Sequence, residues 1–140
     1  MSKTVEGGCH CGQVRYTCSG EPIAVTLCYC RDCQRFSGGA NSNYVLMPAD
    51  SVSVTGETAG NTLQAESQRS VRREYCRECG SPVFAKTPHL FAITVASFDD
   101  PNPYQPTLAI WLASAPPWAS VPQGIPSYQH NPPLSDGEAP

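Results

Sequence analysis

With 140 residues and a formal charge of -3, the chain is long enough for one modest core, and it has no basic tract to support nucleic-acid binding. Hydrophobic residues at 40% and charged residues at 15% describe a soluble globular chain, and no stretch is apolar enough to span a membrane. Fourteen prolines and eleven glycines exclude long helices and predict short strands joined by turns, an all-β fold.

The opening residues, 1–6, contain no apolar run and do not read as a secretory signal. The expected location is therefore a reducing cytoplasm, where eight cysteines in tight clusters are metal ligands rather than disulfides. Residues 7–12, GGCHCG, read as a metal knuckle in which Gly12 lets the backbone turn behind Cys11. Residues 13–18 alternate, with Val14, Tyr16 and Cys18 on one face, the pattern of a half-buried strand. A turn at 19–22 precedes a second strand, 23–27, which delivers Cys28 at its end. Residues 30–37 suit one short helical segment ended by Gly38 and Gly39, and strands are expected near 44–47 and 51–55. Residues 56–67 read as a loop with room for a short edge strand. Residues 71–75 lead into a second knuckle, Cys76-x-x-Cys79-Gly80.

Residues 83–85 and 90–98 read as a hairpin around Thr87-Pro88-His89, and residues 99–103 as a turn. A last strand spans 107–112, followed by a proline-rich tail. No internal repeat or boundary is visible. Residues 1–130 are expected to form one zinc-knuckle domain, and residues 131–140 a flexible end.

Two constellations carry chemistry. Cys9, Cys11, Cys76 and Cys79 form two paired clusters, each followed by glycine, and suit a closed structural zinc that staples distant parts of the chain. Cys28, Cys30 and Cys33, read as C-x-C-x-x-C, offer three thiolates and leave a tetrahedral zinc one open position, the mark of a working site. Cys18 is the alternative fourth ligand, although its strand face suits the core better. His89 is another, since His10 lies inside the other knuckle and His130 in the tail. An open zinc with three thiolates is a poor activator of water and a good binder of a substrate thiol. Arg31, Arg35 and Arg73 stand in sequence beside the clusters and could hold the carboxylates of a small anionic thiol. Phe36, Trp111 and Trp118 could wall a pocket, and Asp99-Asp100 reads as a turn rather than an acid–base pair.

Taken in order, GGCHCG-x-VRY, C-x-C-x-x-C, Ser37-Gly38, Val54-Thr55-Gly56, Arg73-x-Tyr75-Cys76-x-x-Cys79-Gly80-Ser81-Pro82, Phe98-Asp99-Asp100-Pro101 and Ile110-Trp111 before Pro117-Trp118 resemble the glutathione-dependent formaldehyde-activating enzyme family, also called centromere-protein-V-like. The resemblance covers about residues 5–130. It implies an Mss4-like β-tent of several small antiparallel sheets, a structural zinc on Cys9, Cys11, Cys76 and Cys79, and a second zinc on Cys28, Cys30 and Cys33. It also implies a carbon–sulfur lyase acting on S-(hydroxymethyl)glutathione, with glutathione and formaldehyde as its small-molecule partners. The same resemblance leaves room for a non-enzymatic zinc-stabilised binding module or a zinc carrier or sensor. Two positions depart from the family pattern: Tyr29 and Ala109 stand where members often have histidine.

Overall fold

A computed structural model describes residues 3–65 and 68–133. Strands and turns dominate it, and among the described residues there is one α-helix, as the proline and glycine content requires. In chain order the strands are β1 (Thr4–Gly8), β2 (Arg15–Ser19), β3 (Ala24–Cys28), β4 (Ser42–Pro48), β5 (Val52–Thr55), β6 (Thr58–Gln64), β7 (Ser70–Cys76), β8 (Pro82–Lys86), β9 (Leu90–Thr94) and β10 (Leu108–Ile110). Helix α1 (Arg31–Ser37) lies between β3 and β4, and Gly38 ends it in the left-handed region at φ 80°. No helix among the described residues is long and apolar enough to cross a membrane.

The smaller sheet is β1-β2-β5, and the larger runs β10-β3-β4-β9-β8-β7-β6. The pairing is antiparallel as expected except at one edge of the large sheet, where β10 pairs with β3 in parallel, Leu108 opposite Thr26 and Ile110 opposite Cys28. Only strands joined by a tight turn must run antiparallel, and some eighty residues separate these two.

Side-chain alternation gives the large sheet two faces. Val25 of β3, Val45 and Met47 of β4, Phe84 of β8 and Ile93 of β9 turn to the main core, where Val14, just before β2, and Tyr16 and Cys18 of β2 meet them. Tyr16 is fixed there by a 2.7 Å hydrogen bond with Ser97 Oγ and an edge-on contact with Phe98 at 5.4 Å. The intervening residues, among them Thr26, Cys28, Tyr44, Arg73 and Ala92, line a cavity on the other face.

Two stretches differ from the sequence expectation. Residues 58–64 form a full edge strand on β7 rather than a loop. Its polar residues face solvent, and Gly60 sits so close to its partner that a Cβ would lie 2.3 Å from the Arg73 carbonyl oxygen. The segment after residue 116 is not a loose tail either. It returns along β10 with Ala109 N donating to Pro126 O at 3.0 Å, Tyr128 N to Ala109 O at 3.0 Å and Trp111 N to His130 O at 3.2 Å. The expected flexible end is described only through residue 133, and residues 134–140 lie outside the described residues.

Candidate active site

Cys9 and Cys11 sit in the turn between β1 and β2; Cys76 ends β7 and Cys79 ends the turn that follows it, before β8. Left-handed glycines at Gly12 (φ 85°) and Gly80 (φ 78°) close the two knuckles, with Gly80 N donating to Cys76 O at 2.9 Å. The Cys9 and Cys11 sulfurs are 3.6 Å apart, those of Cys11 and Cys76 3.7 Å, and all four lie within 4.8 Å of one another. A tetrahedral zinc with Zn–S near 2.3 Å needs sulfurs roughly 3.8 Å apart. Donors already converge on the sulfurs. Val14 N reaches Cys9 Sγ at 3.3 Å, Glu78 N and Cys79 N reach Cys76 Sγ at 3.3 and 3.4 Å, and Ser81 Oγ lies 3.2 Å from Cys79 Sγ. The Ser81 hydroxyl and then its backbone hold the Cys79 thiol down to about 5. This set is chemically ready for a soft cation.

The second cluster is built by three successive devices. β3 brings Cys28 to its end, Cys30 caps α1 with its sulfur accepting from Cys33 N at 3.3 Å, and the first turn of the helix returns Cys33. All three are buried, with sulfurs mutually within 4.8 Å. Tyr44 OH donates to Cys33 Sγ at 3.6 Å and Arg73 Nη2 to the same sulfur at 3.9 Å. Donation from Cys28 and Cys30, then from Tyr44, with the positive charge of Arg73, holds Cys33 down to about 3 against the opposing effect of burial. Cys28 is pushed far up by Cys30 and Cys33 and by burial. The cluster thus favours one thiolate even before a cation adds its charge.

Among the described residues, neither Cys18 nor any histidine joins either cluster. Cys18 is fully buried in the main core, and burial pushes its thiol up to about 11. His89 is exposed in the β8–β9 turn.

The three cysteines open onto a cavity of about 160 Å³ with walls from β3, β4, β7, β8, β9 and β10. Leu46, Val71, Leu90, Ala92 and Ile110 make it largely apolar, and Arg69, Arg73 and Lys86 give it positive charge with no acidic lining side chain among the described residues. Of the three arginines expected near a substrate, Arg73 lines this cavity while Arg31 and Arg35 do not; they lie exposed on α1, and Arg31 donates to Gln34 Oε1. Of the three aromatic rings expected to wall a pocket, Trp111 does so here, Phe36 packs behind the cysteines, and Trp118 is 74% exposed. Trp111 is held at a positive φ of 62°, costly for a bulky residue. The return segment fixes it: its indole Nε1 donates to Asn131 Oδ1 at 2.8 Å, and its ring meets His130 edge-on at 4.9 Å. Sequence reasoning missed Asn131, Tyr44 and Thr26 as cavity residues; β-strand alternation from Cys28 back to Thr26 was the available signal.

Tyr29 and Ala109 fall on the opposite side from this cavity. Both are 0% exposed and share an apolar cluster with Leu27, packed by Leu112, Ala115, Val121 and Ile125. The Tyr29 hydroxyl donates to Ser120 O at 2.7 Å. Tyr29 and Ala109 are therefore packing residues of one cluster, and neither lines the cavity.

The family model described as "Glutathione-dependent formaldehyde-activating enzyme" matches residues 4–114. A curated protein of Halomonas elongata, named "Putative glutathione-dependent formaldehyde-activating enzyme", is 30% identical over 128 residues, covering 84% of this chain and 80% of that one. A crystal structure of a Rhodobacter sphaeroides protein superimposes with a TM-score of 0.55 at 17% identity, covering 88% of this chain and 98% of that chain, and shares its fold.

Proposed function

Because the chain belongs to the glutathione-dependent formaldehyde-activating enzyme family, we propose that the cavity beside Cys28, Cys30 and Cys33 joins a thiol to an aldehyde, or cleaves their adduct, with S-(hydroxymethyl)glutathione as the adduct. The observation that carries this reading is three buried, converging sulfurs that open onto a cationic cavity and recruit no fourth protein ligand among the described residues. Their separations fit zinc, and so do those of Cys9, Cys11, Cys76 and Cys79, which we assign to a second, structural zinc. Zinc on the three-cysteine cluster supplies a site for a substrate sulfur and favours its thiolate form.

The protein's own residues do the rest. Tyr44 and Arg73 donate to Cys33 and set the charge balance of the cluster. Arg73 is also placed to attract a carboxylate of the thiol substrate, and the apolar walls exclude water from the carbon–sulfur bond. In synthesis the thiolate sulfur attacks the carbonyl carbon, the C–S bond forms, and the carbonyl π electrons pass to oxygen, which takes a proton from solvent. Cleavage reverses these events. Holding the two reactants together is the main contribution, because the same addition proceeds slowly in water.

The test follows the formation of S-(hydroxymethyl)glutathione by NMR from 13C-formaldehyde and glutathione with zinc-loaded protein. The expected result is exchange faster than the uncatalysed background, lost in Cys30→Ser. A rate equal to background with both metals bound would remove the lyase assignment and leave a zinc-stabilised binding module.

A further inference from the structure

Thr26 is 3% exposed, lines the three-cysteine cavity, and has a buried hydroxyl oxygen without a protein hydrogen-bond partner. Buried polar groups are almost always paired, so an orphaned hydroxyl on a residue that lines a cavity points to a ligand's polar atom, and Arg73 Nε in the same lining is orphaned too. Its position is fixed by the fold. Thr26 and Cys28 stand two residues apart on β3 and so share one face, about 7 Å apart along the strand. Across the ladder Thr26 faces Tyr44, the residue that donates to Cys33. On the other side its neighbour is Leu108 of β10, which brings no polar group.

We propose that Thr26 is the specificity residue for the oxygen of the thiol–aldehyde adduct: its hydroxyl hydrogen-bonds the substrate hydroxyl that sits one carbon from the sulfur. This rests on the lyase reading of the same cavity. A sulfur at the cysteines leaves its adjoining carbon and oxygen to reach back along β3, and Thr26 is the polar side chain on that strand face. In cleavage the adduct's O–H proton passes to a water molecule entering from solvent, the electron pair of that O–H bond forms the C=O bond, and the C–S bond breaks with its pair remaining on sulfur as thiolate. The Thr26 hydroxyl donates to the adduct oxygen throughout, which leaves the adduct's own O–H directed at that water. A simple alkyl thiol offers Thr26 nothing, and its binding leaves the hydroxyl unpaired.

The experiment uses zinc-loaded full-length protein and two probes of equal size, S-(hydroxymethyl)glutathione, kept formed by excess formaldehyde, and S-ethylglutathione, in which a methyl group replaces the hydroxyl on the carbon next to sulfur. Both are titrated by NMR against the wild type, Thr26→Val and Thr26→Ser, with zinc content and melting temperature measured on each. The wild type is expected to favour the hydroxymethyl probe by about tenfold, the size of one buried hydrogen bond. Thr26→Val, which keeps shape and loses the hydroxyl, is expected to bind both probes alike with its zinc intact, and Thr26→Ser to restore the preference. Adduct cleavage by Thr26→Val is expected to slow on the order of a hundredfold in kcat with the affinity for glutathione unchanged. The same preference in wild type and Thr26→Val overturns the role of Thr26 while the lyase reading stands. Failure of both probes and of glutathione to bind the zinc-loaded wild type overturns the lyase reading itself, and the assignment of Thr26 falls with it.

Discussion

Cys18 and Cys33 show the two fates of a thiol in this chain. Cys33 is surrounded by donors and ionises readily, whereas Cys18 is buried in the main core and burial pushes its pKa from 9.0 up to about 11. The unfolded chain ionises this thiol first, so its contribution to stability is intact below pH 9 and is lost as the pH rises through about 11. Cys18→Val should therefore flatten the decline in melting temperature between those two pH values and retain both zincs. Loss of one zinc equivalent would make Cys18 a ligand after all. Arg73 is the second residue to test. Arg73→Gln removes the cation nearest the Cys33 sulfur and should weaken glutathione binding at least tenfold, the worth of a charge-assisted contact, with the zinc content measured alongside. Alternation in residues 14–18 made Cys18 legible as core. Adjacency in the chain misled for Arg31 and Arg35, because a residue next to a ligand on a helix can point to solvent, while Arg73 reaches Cys33 from forty residues away.

Helix α1 is the element on which the working cluster depends. Cys30 is both a cluster thiol and the N-cap of the helix, and serine serves that cap as well as cysteine does. Cys30→Ser should keep the helix and most of the stability while losing thiol binding. Cys76, by contrast, ties the β7–β8 turn to the turn of β1 and β2. Cys76→Ser should remove most of the roughly 10 kcal/mol that a structural zinc contributes and leave little folded protein. Circular dichroism melts on both variants check the contrast; equal collapse would make the three-cysteine cluster a second staple. The return segment yields a separate expectation. Tyr29→Phe deletes the bond to Ser120 O and should cost about 1 kcal/mol without changing thiol affinity, because that ring faces away from the cavity. Knuckles and inward-facing strands were readable because each is a local pattern. The edge strand at residues 58–64 was not, since its polar residues and glycine answer to a partner strand rather than to their own sequence. Nor was the packing of the proline-rich segment on β10, whose backbone hydrogen bonds leave no periodic pattern in the sequence.

At the scale of the molecule, the two cysteine clusters able to hold a cation span different distances. One joins residues 9 and 11 to residues 76 and 79; the other is contained within six consecutive residues. Elemental analysis should find two zincs per chain. A mild chelator should take the three-cysteine metal first and abolish thiol binding before the fold is lost, since the loop it closes is short and constrains the unfolded chain little. The curled seven-stranded sheet then brings β3 and β7, far apart in strand order, to one cavity.

That arrangement also sets an order of events during synthesis. The ligands at 28, 30 and 33 leave the ribosome together and can capture a metal while most of the chain is still unmade. The four-cysteine staple must wait for residue 79, β10 for residue 110, and the anchor of Trp111 for residue 131. A nascent chain therefore holds its reactive thiols before it has any wall around them. A metal bound at that stage would shield those thiols from oxidation through that interval, and the cavity wall is complete only once residues 126–131 lie along β10.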